Sequence, residues 1–121
     1  MILADTSVWV DHLRTGVPLL AASLERGAVL VHPFVVGELA CGKLKRRAAV
    51  LQLLQDLPQA IVGSDVEVLS FIERNALMGR GIGHIDMHLL AAAALSAPAK
   101  LWTRDKRLAS IATELKLTFS E

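Results

Sequence analysis

The sequence has one cysteine, no long apolar run and almost no net charge, and each of these absences excludes a class of protein. Cys41 is alone, so the chain can form neither an internal disulfide nor a metal site made of several thiolates. The longest apolar run, residues 89–95, is far shorter than the ~20 residues that a membrane-spanning helix needs. The N-terminus carries a charge at Asp5 and lacks the basic start of a secretory signal. We therefore expect a cytoplasmic protein without a membrane segment.

Length and composition predict one folded domain. The 121 residues are 53% hydrophobic and 21% charged, which differs strongly from the composition of disordered chains. The length fits a single domain spanning residues 1–121. The net charge of +1 neither indicates nor excludes a polyanionic partner. Because the chain is short for its apolar content, we expect further buried surface in a homodimer or a complex.

Short apolar segments alternate with segments of helical periodicity along the chain. Strands are predicted at residues 1–4, 28–31, 60–62, 101–103 and 117–119. A two-helix hairpin is predicted over residues 33–57, and an almost wholly apolar, buried helix over residues 85–96. Strands that alternate with helices form a parallel sheet covered by helices on both faces. The sequence therefore predicts an α/β fold.

Four acidic residues occupy positions where carboxylates need an explanation. Asp5 and Asp105 each lie just beyond a predicted strand, at the edge where open parallel sheets bind ligands, although each could simply cap the next helix. Glu38 and Asp86 interrupt apolar helical stretches, where an isolated buried carboxylate is rare and costly. If the four met in one cleft, divalent cations would be needed to keep them ionised.

The chemistry of such a site follows from its ligands. Carboxylate oxygens favour Mg²⁺, with Mn²⁺ as the alternative. Two such ions about 4 Å apart can activate a water molecule, hold a phosphate and stabilise the leaving oxygen. The four acidic residues therefore predict hydrolysis of phosphodiester bonds.

The motifs around these acids resemble those of the PIN-domain ribonucleases, and the resemblance spans the whole chain. The motifs are Asp5-Thr6-Ser7, Glu38 in a mid-chain helix, Asp86 in Gly-x-Gly-x-x-Asp-x-His-Leu-Leu-Ala, and Leu-Trp-Thr-Arg-Asp-Lys-Arg-Leu around Asp105. Within that family, the length and motifs are most similar to the VapC toxins of bacterial toxin–antitoxin modules. The resemblance implies a PIN-like fold whose central parallel sheet has the strand order 3-2-1-4-5, with helices on both faces.

The resemblance also implies a function: a toxic endoribonuclease that hydrolyses RNA with a water activated by Mg²⁺. The family's acidic metal-binding and catalytic positions match Asp5, Glu38, Asp86 and Asp105. Its small hydroxyl positions near the metal match Ser7 and Thr103, and our candidates for contact with RNA are Arg80, Arg104 and Lys43. The resemblance further implies a VapB-like antitoxin that blocks the site, and it supports the expectation of a homodimer.

The sequence leaves alternatives open for the metal site and for the function. His84 and His88 share a helix face at i and i+4 and could bind zinc, but Ile85 stands where metalloproteases have Glu, and no third ligand is evident. A hydrogen-bonded or solvent-facing histidine pair is the other interpretation. At the level of function, the alternatives are a free-standing PIN nuclease in RNA processing and a PIN module that binds RNA or a protein without catalysis.

Overall fold

A three-stranded parallel sheet forms the centre of the molecule in the computed structural model, which describes residues 1–121. The strands are β1 (Ile2–Ala4), β2 (Val29–Leu30) and β3 (Lys100–Trp102), and their order in the sheet is β2-β1-β3. In the central strand, Leu3 is paired with Leu30 on one side and with Leu101 on the other. The buried, branched and aliphatic character of these strands is typical of a parallel sheet.

Seven helices flank the sheet. They are α1 (Thr6–Thr15), α2 (Pro18–Glu25), α3 (Pro33–Ala40), α4 (Arg47–Asp56), α5 (Asp65–Arg74), α6 (His84–Leu95) and α7 (Lys106–Glu114). None of them is long and apolar enough to cross a membrane. The predicted α/β class with a parallel sheet is confirmed.

Two of the five predicted strands do not form. Residues 60–62 reach β2 only through the hydrogen bond that the N–H of Ala60 donates to the Val31 carbonyl at 2.9 Å, next to an isolated parallel bridge between Val31 and Gln59. The N–H of Ile61 donates to the Ser96 hydroxyl at 2.9 Å instead of to the sheet. At residues 117–119, a single bridge joins Leu101 to Thr118. The bridges lie on the outer sides of β2 and β3, and the order 3-2-1-4-5 stays a prediction.

The helical predictions agree better with the structure. Helices α3 and α4 pack against each other as the expected hairpin. Helix α6 is buried continuously from Met87 to Ala93, as its apolar sequence predicts, and it packs against both α5 and β3. Trp9 and Trp102 are fully buried and belong to the core, which contains 29 hydrophobic residues. This core holds the ends of β1, β3 and α6 close together.

Candidate functional site

The pairing of β1 with β3 brings their carboxyl ends to the same edge of the sheet. Ala4 is in register with Trp102, and the N–H of Asp5 donates to the Trp102 carbonyl at 2.9 Å. One residue later, the hydroxyl of Thr103 donates to Oδ2 of Asp5. The two residues that leave these strands are therefore in direct contact, at the edge where parallel sheets bind ligands.

Asp5 is a buried carboxylate held by hydroxyls and a backbone amide. Its side chain is 5% exposed. Oδ1 accepts hydrogen bonds from the Ser7 hydroxyl at 2.6 Å and from the N–H of Val8 at 3.2 Å, so Asp5 caps α1. No Lys or Arg forms a salt bridge with it. The charge of Asp5 is thus solvated by hydrogen-bond donors but not neutralised.

Ser7 and Thr103 connect Asp5 to the loop that carries Asp105. The Ser7 hydroxyl accepts a hydrogen bond from the N–H of Arg104 at 3.0 Å, and the Thr103 hydroxyl accepts one from the N–H of Asp105 at 3.0 Å. Oδ1 of Asp105 caps α7 by accepting from the N–H groups of two residues of its first turn, at 2.9 and 3.0 Å. Both Asp5 and Asp105 therefore cap helices, and Oδ2 of Asp105 remains without a hydrogen bond.

Glu38 reaches the same region from α3. The hydroxyl of Thr6, the first residue of α1, donates to Oε1 of Glu38 at 2.6 Å. The sequence contains no local signal for this role of Thr6, because 32 positions separate the two residues. The expectation that Glu38 is buried is wrong: its side chain is exposed, since it lies at the open end of the cluster and not in the core.

Asp86 completes the cluster from the first turn of α6. Its side chain is half-buried, and its pKa is raised above the usual value of 3.8. The largest cause is burial, followed by the negative charges of Asp5, Asp105 and Glu38. Asp86 therefore lies close enough to the three other predicted acids for their charges to act on it. We call the four acids the carboxylate cluster.

The three basic candidates lie in different surroundings. Arg104 follows Thr103 beside the cluster and forms salt bridges with Asp11 at 3.4 Å and Glu121 at 3.2 Å. Lys43 lines a groove that also contacts Glu38. Arg80 lies away from the cluster and donates two hydrogen bonds to Glu114, at 3.0 and 2.9 Å, an interaction that raises the pKa of Arg80 and lowers that of Glu114.

The glycine turn before α6 packs closely against α7. Gly81 has a positive φ of 84°, and a Cβ on it would come within 2.8 Å of Nη1 of Arg107. A side chain at Gly81 would therefore be disfavoured mainly by the backbone conformation, because the end of the flexible Arg107 side chain can move away. The turn that leads into α6 therefore lies against the first turn of α7.

The histidines of α6 lie beside a carboxylate, Asp65, that the sequence did not predict as their neighbour. His88 is 2% exposed, and its Nε2 lies 3.5 Å from Oδ1 of Asp65, the first residue of α5. Burial, reinforced by the charge of His84, lowers the pKa of His88. His32, packed nearby, has its pKa lowered to about 4 by burial and by the charge of His88. No spacing rule connects Asp65 to the histidines, because it belongs to a different helix.

Comparisons with known proteins agree with this architecture. A model of the family described as PIN domain matches residues 2–114. The chain belongs to the PIN-domain family. It is also 45% identical, over its full length and 98% of the relative's, to a protein named ribonuclease VapC32 in two strains of Mycobacterium tuberculosis. This PIN domain therefore falls within the VapC group, as the motifs around its four acids predict.

We expect Asp86→Asn to stabilise this PIN domain at neutral pH when no metal is present. Because the pKa of Asp86 is raised on folding, the folded state binds more protons than the unfolded state between pH 3.8 and the raised pKa. The free energy of unfolding therefore falls as pH rises through that window. An amide at position 86 does not titrate, so Asp86→Asn avoids this fall in the free energy of unfolding. The stabilisation should be small near pH 4 and should grow toward pH 7.

Urea denaturation in EDTA at several pH values measures the effect. Asp56→Asn, which changes an exposed carboxylate at the end of α4, is the matched control and should show no such growth. A difference between Asp86→Asn and the unmodified protein that stays constant with pH, or that reverses sign at pH 7, would contradict the coupling.

Proposed function

We propose that this protein is a toxic, metal-dependent endoribonuclease of a toxin–antitoxin module, and that it acts in the cytoplasm. The observation that carries the proposal is the carboxylate cluster, in which burial and the negative charges of Asp5, Asp105 and Glu38 raise the pKa of Asp86. The name of the relatives, ribonuclease VapC32, supports RNA as the substrate. The presence of all four acids favours a catalytic protein over a module that only binds RNA or a partner.

The chemistry of the cluster fits a hard divalent cation. All of its potential ligand atoms are carboxylate oxygens, which Mg²⁺ and Mn²⁺ prefer. Asp5 is buried without a basic partner, and Oδ2 of Asp105 and Oε2 of Glu38 accept no hydrogen bond from the chain. A cation would relieve the mutual repulsion that adds to burial in raising the pKa of Asp86. We assign Asp5, Asp86 and Asp105 as its ligands, with Glu38 completing the shell or positioning water.

The residues of the chain then have separate roles in hydrolysis. When bound, the divalent ion supplies stabilisation of negative charge at the phosphate and lowers the pKa of a water molecule. Thr103 and Ser7 fix the Asp5 carboxylate in position, because their hydroxyls donate to its two oxygens. Thr6 orients Glu38 at the open side of the cluster. No side-chain nucleophile is required.

Basic residues at the edge of the cluster are suited to hold the RNA backbone. Arg104 is joined to the cluster through its own N–H, which donates to Ser7, and its guanidinium is partly exposed. Lys43 lines a groove that is also lined by Glu38 of the cluster. Arg80 is the weakest of the three candidates because Glu114 already accepts two hydrogen bonds from its guanidinium.

We expect the purified protein to cleave RNA with Mg²⁺ or Mn²⁺ and to lose activity in EDTA. Ca²⁺ should support binding without efficient turnover, because it prefers looser and higher coordination. Asp5→Asn, which keeps the shape of the side chain and removes its charge, should lower the cleavage rate at least ~100-fold, since one lost charge-stabilising group typically has that effect. Expression of Asp5→Asn should no longer inhibit growth.

Cleavage of total RNA, followed by gel electrophoresis, measures this prediction. Asp56→Asn is the control, because its exposed carboxylate lies outside the cluster. Full activity of Asp5→Asn would contradict the assignment. RNA binding without metal-dependent cleavage by the unmodified protein would favour the non-catalytic alternative, and cleavage without growth inhibition would favour a free-standing processing nuclease.

A groove beside the cluster is suited to an antitoxin. It has a volume of about 920 Å³ and is lined by residues of α1, α3, α4 and the α3–α4 loop, including Leu13, Leu39 and Leu53 with the basic Lys43 and Arg46. Glu38 joins the groove to the carboxylate cluster. We propose that a helical segment of a VapB-like antitoxin occupies this groove and places an arginine against the four carboxylates, where it competes with the cation.

The proposed antitoxin complex predicts competition between the antitoxin arginine and Mg²⁺. The expected homodimer predicts a mass of two chains for the toxin alone. Changing the inserted antitoxin arginine to alanine should weaken binding, and rising Mg²⁺ should weaken binding of the unmodified antitoxin only. Calorimetry with the purified partners measures both effects, while light scattering should show a homodimer of the toxin. Binding that is insensitive to the arginine and to Mg²⁺ would contradict the model, and a monomeric mass at micromolar concentration would contradict the dimer.

A further inference from the structure

A second cluster of ligand-type side chains lies outside the carboxylate cluster, where α5 and α6 begin. It consists of Asp65, His84 and His88. Their potential ligand atoms, one from each residue, all lie within 4.8 Å of one another. Asp65 and His84 are exposed, whereas His88 is buried. A site of this shape is open to solvent on one side and closed by the core on the other.

Local structure fixes the positions of the three residues. The side chain of Ser64 accepts from the N–H of Glu67 at 3.1 Å, and that of Glu67 accepts from the N–H of Ser64 at 2.9 Å, which holds the start of α5 and therefore Asp65. His84 and His88 are four residues apart on α6, and their ring centroids are 4.6 Å apart. This packing brings both rings to the same side of the helix as Asp65.

The second cluster and the carboxylate cluster lie on different sides of α6. Successive residues of a helix are turned by about 100°, so Asp86 is turned by roughly 200° from either histidine. The side chain of Asp86 therefore points away from the face shared by His84 and His88. A ligand bound between the histidines and Asp65 would not occupy the carboxylate cluster.

His88 is the second observation that points to a ligand. It is 2% exposed, and neither Nδ1 nor Nε2 has a hydrogen-bond partner. A buried polar group without a partner is unfavourable and rare in folded proteins. Its Nε2 lies 3.5 Å from Oδ1 of Asp65, longer than an ordinary hydrogen bond. Two ligands of a tetrahedral ion at bond lengths near 2.05 Å would be separated by about 3.3 Å, which is close to this distance.

The surroundings of His88 close the site on its inner side. The ring of Phe34 packs 4.7 Å from that of His88, and the ring of His32 lies 6.2 Å away. His32 is not itself a suitable ligand, because its Nδ1 accepts from the N–H of Phe34 at 3.0 Å, which leaves the proton of the neutral ring on Nε2. The donor set is therefore two imidazoles and one carboxylate.

We propose that Asp65, His84 and His88 form a binding site for a transition-metal ion, with Zn²⁺ as the preferred ion. Two histidines and one carboxylate are a known ligand set for Zn²⁺, whereas Mg²⁺ prefers oxygen ligands alone. Three protein ligands leave a fourth position for water or for a side chain of a partner. The ion would connect the start of α5 to the start of α6, the helix that carries Asp86. This site goes beyond the proposed nuclease function and is independent of it.

Calorimetric titration of Zn²⁺ into the metal-free full-length protein tests the proposal. Excess Mg²⁺ is present, so that the carboxylate cluster is occupied. We expect one ion to bind per chain. Loss of one ligand in His84→Ala or Asp65→Asn should weaken binding by more than the ~10–100-fold that loss of a group behind the ligands usually causes. Both side chains are exposed, so these variants should fold.

Two further variants separate the possible locations of the ion. Asp5→Asn, which changes the carboxylate cluster, should leave Zn²⁺ binding unchanged, and so should the surface control Asp56→Asn. Co²⁺ in place of Zn²⁺ should give the visible absorption of a tetrahedral site in the unmodified protein but not in His84→Ala. Zn²⁺ should also raise the melting temperature of the unmodified protein and have no such effect on His84→Ala.

The proposal is overturned by any of three results. The first is that the unmodified protein binds no Zn²⁺ at micromolar concentration. The second is that Asp65→Asn and His84→Ala bind it as tightly as the unmodified protein does. The third is that binding is lost in Asp5→Asn, which would place the ion in the carboxylate cluster. None of these results depends on whether the protein cleaves RNA.

Discussion

The parallel pairing of β1 with β3 is the constraint on which the candidate active site depends. The two strands are distant in the chain, and their register places Ala4 beside Trp102 in the core. The residues that follow, Asp5 and Thr103, are then forced into contact at the edge of the sheet. A helix begins soon after each of these strands. The carboxylates that cap these two helices, Asp5 and Asp105, belong to the carboxylate cluster. Pairing of the two core strands therefore also assembles the part of the cluster around Asp5.

This assembly has an electrostatic cost that the fold only partly offsets. Hydroxyls and backbone amides solvate Asp5, and the helix N-termini favour negative charge at Asp5 and Asp105. No basic side chain of the chain forms a salt bridge with any of the four acids. Burial and, after it, the remaining repulsion raise the pKa of Asp86. Such a cluster is suited to bind an external cation, which would relieve the repulsion.

What the sequence could predict depended on whether an interaction is local. The position of Asp5 and Asp105 follows from a general rule about the ends of parallel strands, and the buried α6 follows from its apolar composition. The contact of Thr6 with Glu38 joins side chains from separate helices and has no local signal.

The same limit explains the predictions that differ from the structure. Residues 60–62 are apolar enough for a strand, but Ile61 donates its N–H to Ser96, 35 positions away, and leaves the sheet. Asp65 was not recognised as a neighbour of His84 and His88 because only the packing of α5 on α6 brings them together. The exposure of Glu38 likewise results from its place at the open side of the cluster, although its neighbours in sequence are apolar.

The central claim is that the four carboxylates form one cation site, and crystals grown with Mn²⁺ test it most directly. Diffraction recorded at the manganese absorption edge locates the ion independently of any activity. The account predicts an anomalous peak between Asp5, Asp86 and Asp105, next to Glu38, and its loss in Asp5→Asn. The absence of a peak there at millimolar Mn²⁺, or a peak only at His84 and His88, would contradict it.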